Sequence, residues 1–175
     1  RGWHLVGCEI PIVVTPNHKL QNVMFQGYLD VVLYHEPTNS FKILDIKTST
    51  KGWSDYEKKD ETKQFQLILY KHFFAKQFGV EVDKIDIEFF IVKRKLWENS
   101  PYPLSRIQEF TPASGKVKMN KAVNAVTKVL ADSFQNIAVF ASAPPLRFMI
   151  NPTSMLAAVD PLFKTVIGSL IVVIT

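Results

Sequence analysis

Apolar and polar positions change their period several times along the chain, and each change marks an element. Trp3 to Val14 alternates as a strand that contains Glu9. It is expected to end near Pro11, because proline is confined to strand ends, edges and bulges. Thr15-Pro16-Asn17-His18 is a turn, and the chain returns through Val23. Met24 to Tyr34 and Phe41 to Ile46 are dense in aromatic and β-branched residues, with turn chemistry at Glu36-Pro37-Thr38-Asn39-Ser40 between them. That pattern is a β-hairpin. From about Asp60 to Phe78 the period becomes helical, with Phe65, Leu69 and Phe73 on one apolar stripe and Gly79 as the stop. Gln66, Tyr70 and Phe73 form a second row directed at the sheet. Val82 to Lys93 alternates again, with Ile85, Ile87, Phe89 and Ile91 on one side. Strand, helix and strand in this order make the crossover of a parallel pair, expected to be right-handed. Asn99 to Pro103 is a loop, Arg106 to Phe110 a short strand, and Ser114 caps a helix to about Asn136 with Val123, Val126, Val129, Leu130 and Phe134 at helical spacing. The fold class is α/β: a mixed central sheet, built from an antiparallel meander and a parallel strand reached through a crossover helix, with helices packed on it.

The hairpin carries two aspartates and a lysine where a core strand would be apolar. With the turn centred near Pro37-Thr38, Asp30 lies opposite or almost opposite Asp45, and such cross-strand neighbours have Cβ atoms about 5 Å apart. Alternation puts Lys47 on the face of Asp45, with Ile43 below them and Leu44 and Ile46 on the other face. Two carboxylates that close repel unless one is protonated or a cation lies between them. A hard divalent ion removes the conflict, and the lysine would then reach the edge of the site. A surface hairpin with solvated charges accounts for the same residues, since antiparallel sheets often have one wet face.

The following helix bears on these readings: Gln66 and Tyr70 stand one turn apart and share a face, a spacing common on amphipathic helices that gains weight only beside the flanking motifs. Gly27-Tyr28-Leu29-Asp30, then Asp45-Ile46-Lys47-Thr48, then Gln66 to Tyr70 resembles the PD-(D/E)XK nuclease superfamily, in particular its RecB-type and lambda-exonuclease-like branch. That branch carries GxxD, a (D/E)xK strand and a QxxxY helix in this order. The resemblance covers Gly27 to Tyr70 and implies a restriction-endonuclease-like core. It implies further that Asp30 and Asp45 bind Mg²⁺ or Mn²⁺, with Glu9 and the Ile46 carbonyl as additional ligands. Lys47 would act on the attacking water and the developing charge, and Gln66 and Tyr70 would support the site. Glu9 also reads as an ordinary solvent-facing strand residue. His4, five residues before it, is read as an ordinary histidine.

Composition changes this picture only at its edges. A chain of 175 residues supports one domain, assigned to residues 1–142, followed by a tail at 143–175. Its 47% apolar content and 13 phenylalanines are enough for a core without covalent staples. The single Cys8 excludes an internal disulfide framework and a cysteine-ligated cluster, although some RecB-type relatives hold an iron–sulfur cluster on four cysteines. The net charge of +5 suits a polyanionic partner. Lysines in the stretch Thr48 to Glu61 could follow phosphates, and Trp53 or Tyr56 could stack on an unpaired base; a solvated loop with Trp53 folded onto the core is the other reading. Lys116, Lys118, Lys121 and Lys128 form a row that is either a phosphate contact or a solvated helix face, and Arg94-Lys95 likewise contacts the DNA backbone or simply ends a strand.

Arg1 to His4 is not followed by an apolar stretch, so no secretion signal is read and an intracellular location is expected. The missing initiating Met points to a fragment or processed chain, and in the family an upstream helix can carry a further motif, often a histidine. The tail is broken at Ala143-Pro144-Pro145, Pro152 and Pro161, and its apolar end is too short to span a bilayer. It is an added strand, an oligomer contact or a truncated segment. The resulting expectation is a metal-dependent DNA nuclease, an exonuclease of recombination, repair or phage replication acting on linear DNA, including single-stranded ends. Its alternatives are a non-catalytic nucleic-acid-binding module of the same fold and a structure-specific endonuclease. Lambda-type exonucleases are rings, so an oligomer is compatible with the resemblance.

Overall fold

A mixed six-stranded sheet forms the centre of the computed structural model, which describes residues 1–15, 23–97, 99–141 and 170–174. Strands β1 (Trp3–Val14), β2 (Val23–His35) and β3 (Ser40–Ser49) are the antiparallel meander. The chain then passes through α1 (Asp55–Lys59) and α2 (Glu61–Phe78) to β4 (Ile85–Lys93), which pairs in parallel with β3 from Phe41↔Ile85 to Ser49↔Lys93. Strand β5 (Ile107–Phe110) returns antiparallel beside β4, and α3 (Lys116–Ala141) follows. Strand β6 (Leu170–Ile174) pairs antiparallel with Val23–Gly27 of β2, so of the readings open for the tail this stretch is an added strand. The remaining tail positions, and the turn expected at Thr15–His18 beyond Thr15, lie outside the described residues.

The hairpin between β2 and β3 closes through a 3₁₀ turn at Glu36–Thr38, with Asn39 left-handed at φ 48° and its N–H donating to the Glu36 carbonyl at 3.2 Å. Strand β1 does not stop near Pro11 but runs to Val14. It is an edge strand, where a residue without an N–H can face the free side at no cost to the ladder. Within it the register against β2 slips by one residue between Leu5 and Gly7.

Helix α2 is buried along most of its length, from Gln64 through Lys71 and again at Phe73–Ala75. An apolar stripe and a second row facing the sheet were expected, and the helix packs on β1 and β4 and also against α3. Asp60 caps it by accepting the Thr62 N–H at 3.0 Å, and Gly79 ends it. The lysines expected to line a solvated or phosphate-binding face of α3 are partly spent on this packing. Lys118 donates to Gln64 Oε1 at 3.0 Å and Lys121 pairs with Glu61, while Lys116 and Lys128 stay exposed. Buried Lys71 donates to Ser114 Oγ at 3.2 Å.

The stretch read as one loop from Thr48 to Glu61 contains a helical turn, α1, held by a reciprocal capping box between Ser54 and Glu57. The Ser-x-x-Glu spacing encodes it. Trp53 does not face outward: its ring lies 4.9 Å from Phe89 and 6.2 Å from Phe110, centroid to centroid. Gln108 clamps it from both sides, accepting the Trp53 N–H at 2.7 Å and donating to the Trp53 carbonyl at 3.1 Å.

Two glycines provide a check on this arrangement. Gly52 has φ +98°, and a Cβ there would sit 2.8 Å from the clamping oxygen of Gln108; Gly79 has φ +65° with nothing within 4 Å. Gly79→Ala should therefore cost only its backbone strain, about 1 kcal/mol, while Gly52→Ala should cost about 2–4 kcal/mol because the clamp must also move. Chemical denaturation of the two variants checks the order; equal losses would mean the clamp yields freely.

Candidate active site

The site begins where the β2–β3 ladder ends. The last paired residues are Val31↔Leu44, so the next step of the same register sets Asp30 across from Asp45. Both lie on the face of Val32 and Ile43, which are fully buried under the helices. Asp30 Oδ2 accepts the Ile46 N–H at 2.6 Å. In an unbroken antiparallel ladder that N–H would bond a β2 backbone carbonyl instead. Below the break, β2 gives the same edge to β6 at Val23–Gly27, and Tyr28–Asp30 pair with neither strand. A residue in a strand turns its N–H and C=O to the same edge, so the Ile46 carbonyl also faces this opening.

Asp45 is 2% exposed. Burial pushes its carboxyl above the usual carboxylate range, the neighbouring Lys47 ammonium pulls it back, and Asp30 raises it further. Lys47 Nζ forms an ion pair with Asp45 Oδ2 at 2.8 Å, and that buried oxygen has no other polar partner among the described residues. Gln66 also holds the ammonium, its Oε1 accepting from Lys47 Nζ at 3.2 Å. Gln66 Nε2 in turn donates to the Tyr70 hydroxyl at 3.2 Å. Burial raises the Tyr70 phenol to about 12, against the pull of hydrogen bonds from Gln66 and the Tyr28 backbone, so it is a neutral positioning group at physiological pH. The helical spacing of Gln66 and Tyr70 sets both side chains against the strand that carries Asp45 and Lys47.

Asp30, Asp45, Lys47, Gln66, Tyr70 and the Ile46 backbone are thus gathered in one place. Glu9 is placed differently. Its neighbours pair as Cys8↔Val31 and Ile10↔Leu29, which sets Glu9 beside Asp30 in the sheet, but its backbone is left-handed at φ +53° and its side chain is exposed. Among the described residues no three His, Cys, Asp or Glu side chains come together as a metal-holding group. The oxygens that could hold a hard cation are those of Asp30 and Asp45 and the Ile46 carbonyl, with Glu9 one strand away. His4 pairs with Glu36 at 3.4 Å on the exposed hairpin end. The sequence did not single out Tyr28, whose backbone meets Tyr70; its place two residues before Asp30 on one strand was the available signal.

The buried, underbonded Asp45 carboxylate sets a pH test on the protein held metal-free in EDTA. A carboxyl raised in the folded state favours folding in its protonated form. Its stabilising effect is complete below the ordinary carboxylate pKa, about 4, and is lost as pH rises through the raised value. Asp45→Asn does not titrate. It should melt above the wild type at neutral pH, with the gap closing towards pH values near 4. Coincident melting curves at every pH would show that Lys47 fully offsets the burial.

Neither the curated proteins nor the solved structures contain a match to this chain. Residues 1–143 match the family model of the PD-(D/E)XK nuclease superfamily. No helix among the described residues is long and apolar enough to cross a membrane. With its two aspartates facing across an opened ladder and a lysine two residues past the second, the chain belongs to the PD-(D/E)XK nuclease superfamily.

Proposed function

We propose that the protein is a metal-dependent deoxyribonuclease of the RecB-type, lambda-exonuclease-like branch, hydrolysing phosphodiester bonds from the ends of linear DNA. The observation that carries this reading is Asp45 Oδ2: a carboxylate oxygen, buried, without a hydrogen bond, facing Asp30 across a gap in the sheet. The Lys47 ammonium at 2.8 Å offsets one of the two facing carboxylates, and a further positive charge would offset the other. The donor set of Asp30, Asp45 and the Ile46 carbonyl consists of hard oxygens, which suits Mg²⁺ or Mn²⁺, and Glu9 is the further ligand this reading recruits. When bound, such an ion supplies Lewis acidity towards a phosphoryl oxygen and lowers the pKa of water.

The chain's own groups have distinct parts in the reaction. Hydrolysis forms a P–O bond from water and breaks one ester P–O bond, and negative charge gathers on the phosphoryl oxygens meanwhile. Lys47 Nζ stands at the edge of the aspartate pair, where it can orient the water and meet that charge. Gln66 limits where the ammonium can go, and Tyr70 fixes Gln66, so the two are positioning residues for Lys47. Asp30 has two tasks, since its carboxylate both faces Asp45 and holds the Ile46 N–H. The preference for ends, and for recombination, repair or phage replication as the setting, rests on the GxxD, (D/E)xK and QxxxY order.

The test uses end-labelled linear DNA and covalently closed circles, each incubated with Mg²⁺. Linear DNA should be degraded, circles should survive, and EDTA should stop the reaction. Nicking of circles at a comparable rate would make the enzyme an endonuclease. Lys47→Ala should lower turnover about 10²–10³-fold while leaving Mn²⁺ affinity nearly unchanged, because an ammonium has no lone pair to give a metal. Asp45→Asn should weaken both. Wild-type turnover in Lys47→Ala would remove the central support of the assignment.

A further inference from the structure

Beyond the aspartates, β3 and β4 run on together past the end of the sheet. The Arg94 N–H donates to the Ser49 carbonyl at 2.8 Å and the Lys95 N–H to the Thr50 carbonyl at 2.9 Å. The Lys93 N–H donates to the Arg106 carbonyl at 2.8 Å, and the Arg106 guanidinium reaches back to the carbonyls of Lys93 and Arg94 at 3.3 and 3.4 Å. Between these tied segments lies a groove of about 580 Å³ whose lining includes Lys51, Lys93, Lys95, Leu96, Trp97 and Leu104. None of the gathered active-site residues lines it. Its volume falls in the range that takes a ligand of one or two nucleotides' size.

Two features of the groove agree in what they would recognise. Three lysines meet in it, and among the described residues none of them is paired with a carboxylate. Trp97 is 68% exposed, a large apolar surface left in water beside those charges. Cations next to a free aromatic face suit a polymer of alternating phosphates and flat bases, provided the bases are unpaired and present their faces. A duplex hides those faces except at its ends. Trp53, the tryptophan nearer the site in sequence, cannot serve, since its ring is packed on Phe89 and Phe110.

We propose that this groove binds a single-stranded stretch of DNA, with a base stacked on Trp97 and phosphates on Lys51, Lys93 and Lys95. The proposal rests on the nuclease reading for its choice of polymer, but binding itself needs no cleavage. Lys51 follows Lys47 by four residues, so their Cα atoms are separated by at most about 14 Å. That is about four nucleotides at the stacked spacing of one strand, and fewer when the strand is stretched. The groove would therefore hold the same strand that enters the aspartate site and would favour substrates with an unpaired end.

Anisotropy of a fluorescein-labelled oligothymidylate, titrated with the full chain in EDTA, separates this from cleavage. The wild type should bind it more tightly than a blunt duplex of equal length. Trp97→Ala should weaken binding about 5- to 150-fold, the range expected for one lost base–aromatic stack, and Trp97→Phe should recover most of it. Lys51→Ala and Lys95→Ala should each reduce the salt slope by about 0.7, as for one phosphate on a single strand. An oligouridylate bound equally well supports the same groove with no sugar preference; binding confined to it would overturn the choice of DNA. Unchanged affinity in Trp97→Ala, or a preference for blunt duplex, would overturn the proposal. If wild-type protein with Mg²⁺ cuts nothing yet Trp97-dependent binding persists, the nuclease reading fails and the groove stands; if it cuts and Trp97→Ala binds normally, the groove alone fails.

Discussion

One hydrogen bond organises this molecule: the Ile46 N–H donated to the Asp30 carboxylate rather than to a backbone carbonyl of β2. Substituting a side chain for the main chain at that point leaves Val31↔Leu44 as the last pair of the β2–β3 ladder. It also turns the opened edge, with the Ile46 carbonyl, toward the aspartates. Strand β3 tolerates the loss because its opposite edge is paired in parallel with β4 over its whole length, from Phe41 to Ser49. The antiparallel hairpin thus sets which residues face each other, and the parallel pair keeps β3 straight where the hairpin lets go. Neither would position Asp45 and Lys47 alone.

The same few residues concentrate costs that the rest of the fold avoids. Glu9 has a left-handed backbone inside a strand, Asp45 is a buried carboxylate with an unbonded oxygen, and Tyr28–Asp30 leave one edge of β2 unpaired. Each opposes folding by an amount on the order of 1–3 kcal/mol. They line up across β1, β2 and β3 in one row. What offsets them is the packing beneath: Leu29, Val32, Ile43, Phe89 and Ile91 are buried under a helix that is itself covered by α3. Unfavourable local choices gathered in one row, on an otherwise consistent fold, are the mark of a functional site.

The sequence exposed the parts of this that depend on local period. Alternation and turn chemistry placed both strands of the hairpin, and counting from Pro37-Thr38 was enough to bring Asp30 across from Asp45. The helix spacing of Gln66 and Tyr70 likewise survives in their hydrogen bond. What could not be read depends on contacts distant in sequence. For Trp53 the sequence left stacking on a base and folding onto the core both open, and the second holds; nothing local shows that Gln108 holds it or that Phe89 and Phe110 cover its ring. Two rows of helix α2 were read from its spacing, but its cover by α3 was not, because that contact is made far along the chain, with Lys118 bonding Gln64 and Ser114, just before α3, bonding Lys71. Pro11 looked like a strand end because edge position is a property of the sheet, not of the segment.

The parallel pairing of β3 with β4 also shapes the surface beside the aspartates. Both strands end on the same side, and their connections diverge there, one towards α1 and the other towards β5. A crevice outside the carboxyl ends of parallel strands follows from that topology whatever the side chains are. Here the chain lines it with lysines on segments tied to each other by backbone hydrogen bonds. Gly52 and Gln108 secure the other approach, because a loop free to swing would carry Lys51 away from Lys93 and Lys95. Lys47 belongs to the same strand, a few residues before the crevice. The ladder break and the positive groove beyond the sheet are therefore joined through β3 itself, so a strand held in the groove as proposed would be registered against the aspartates by the β3–β4 pairing.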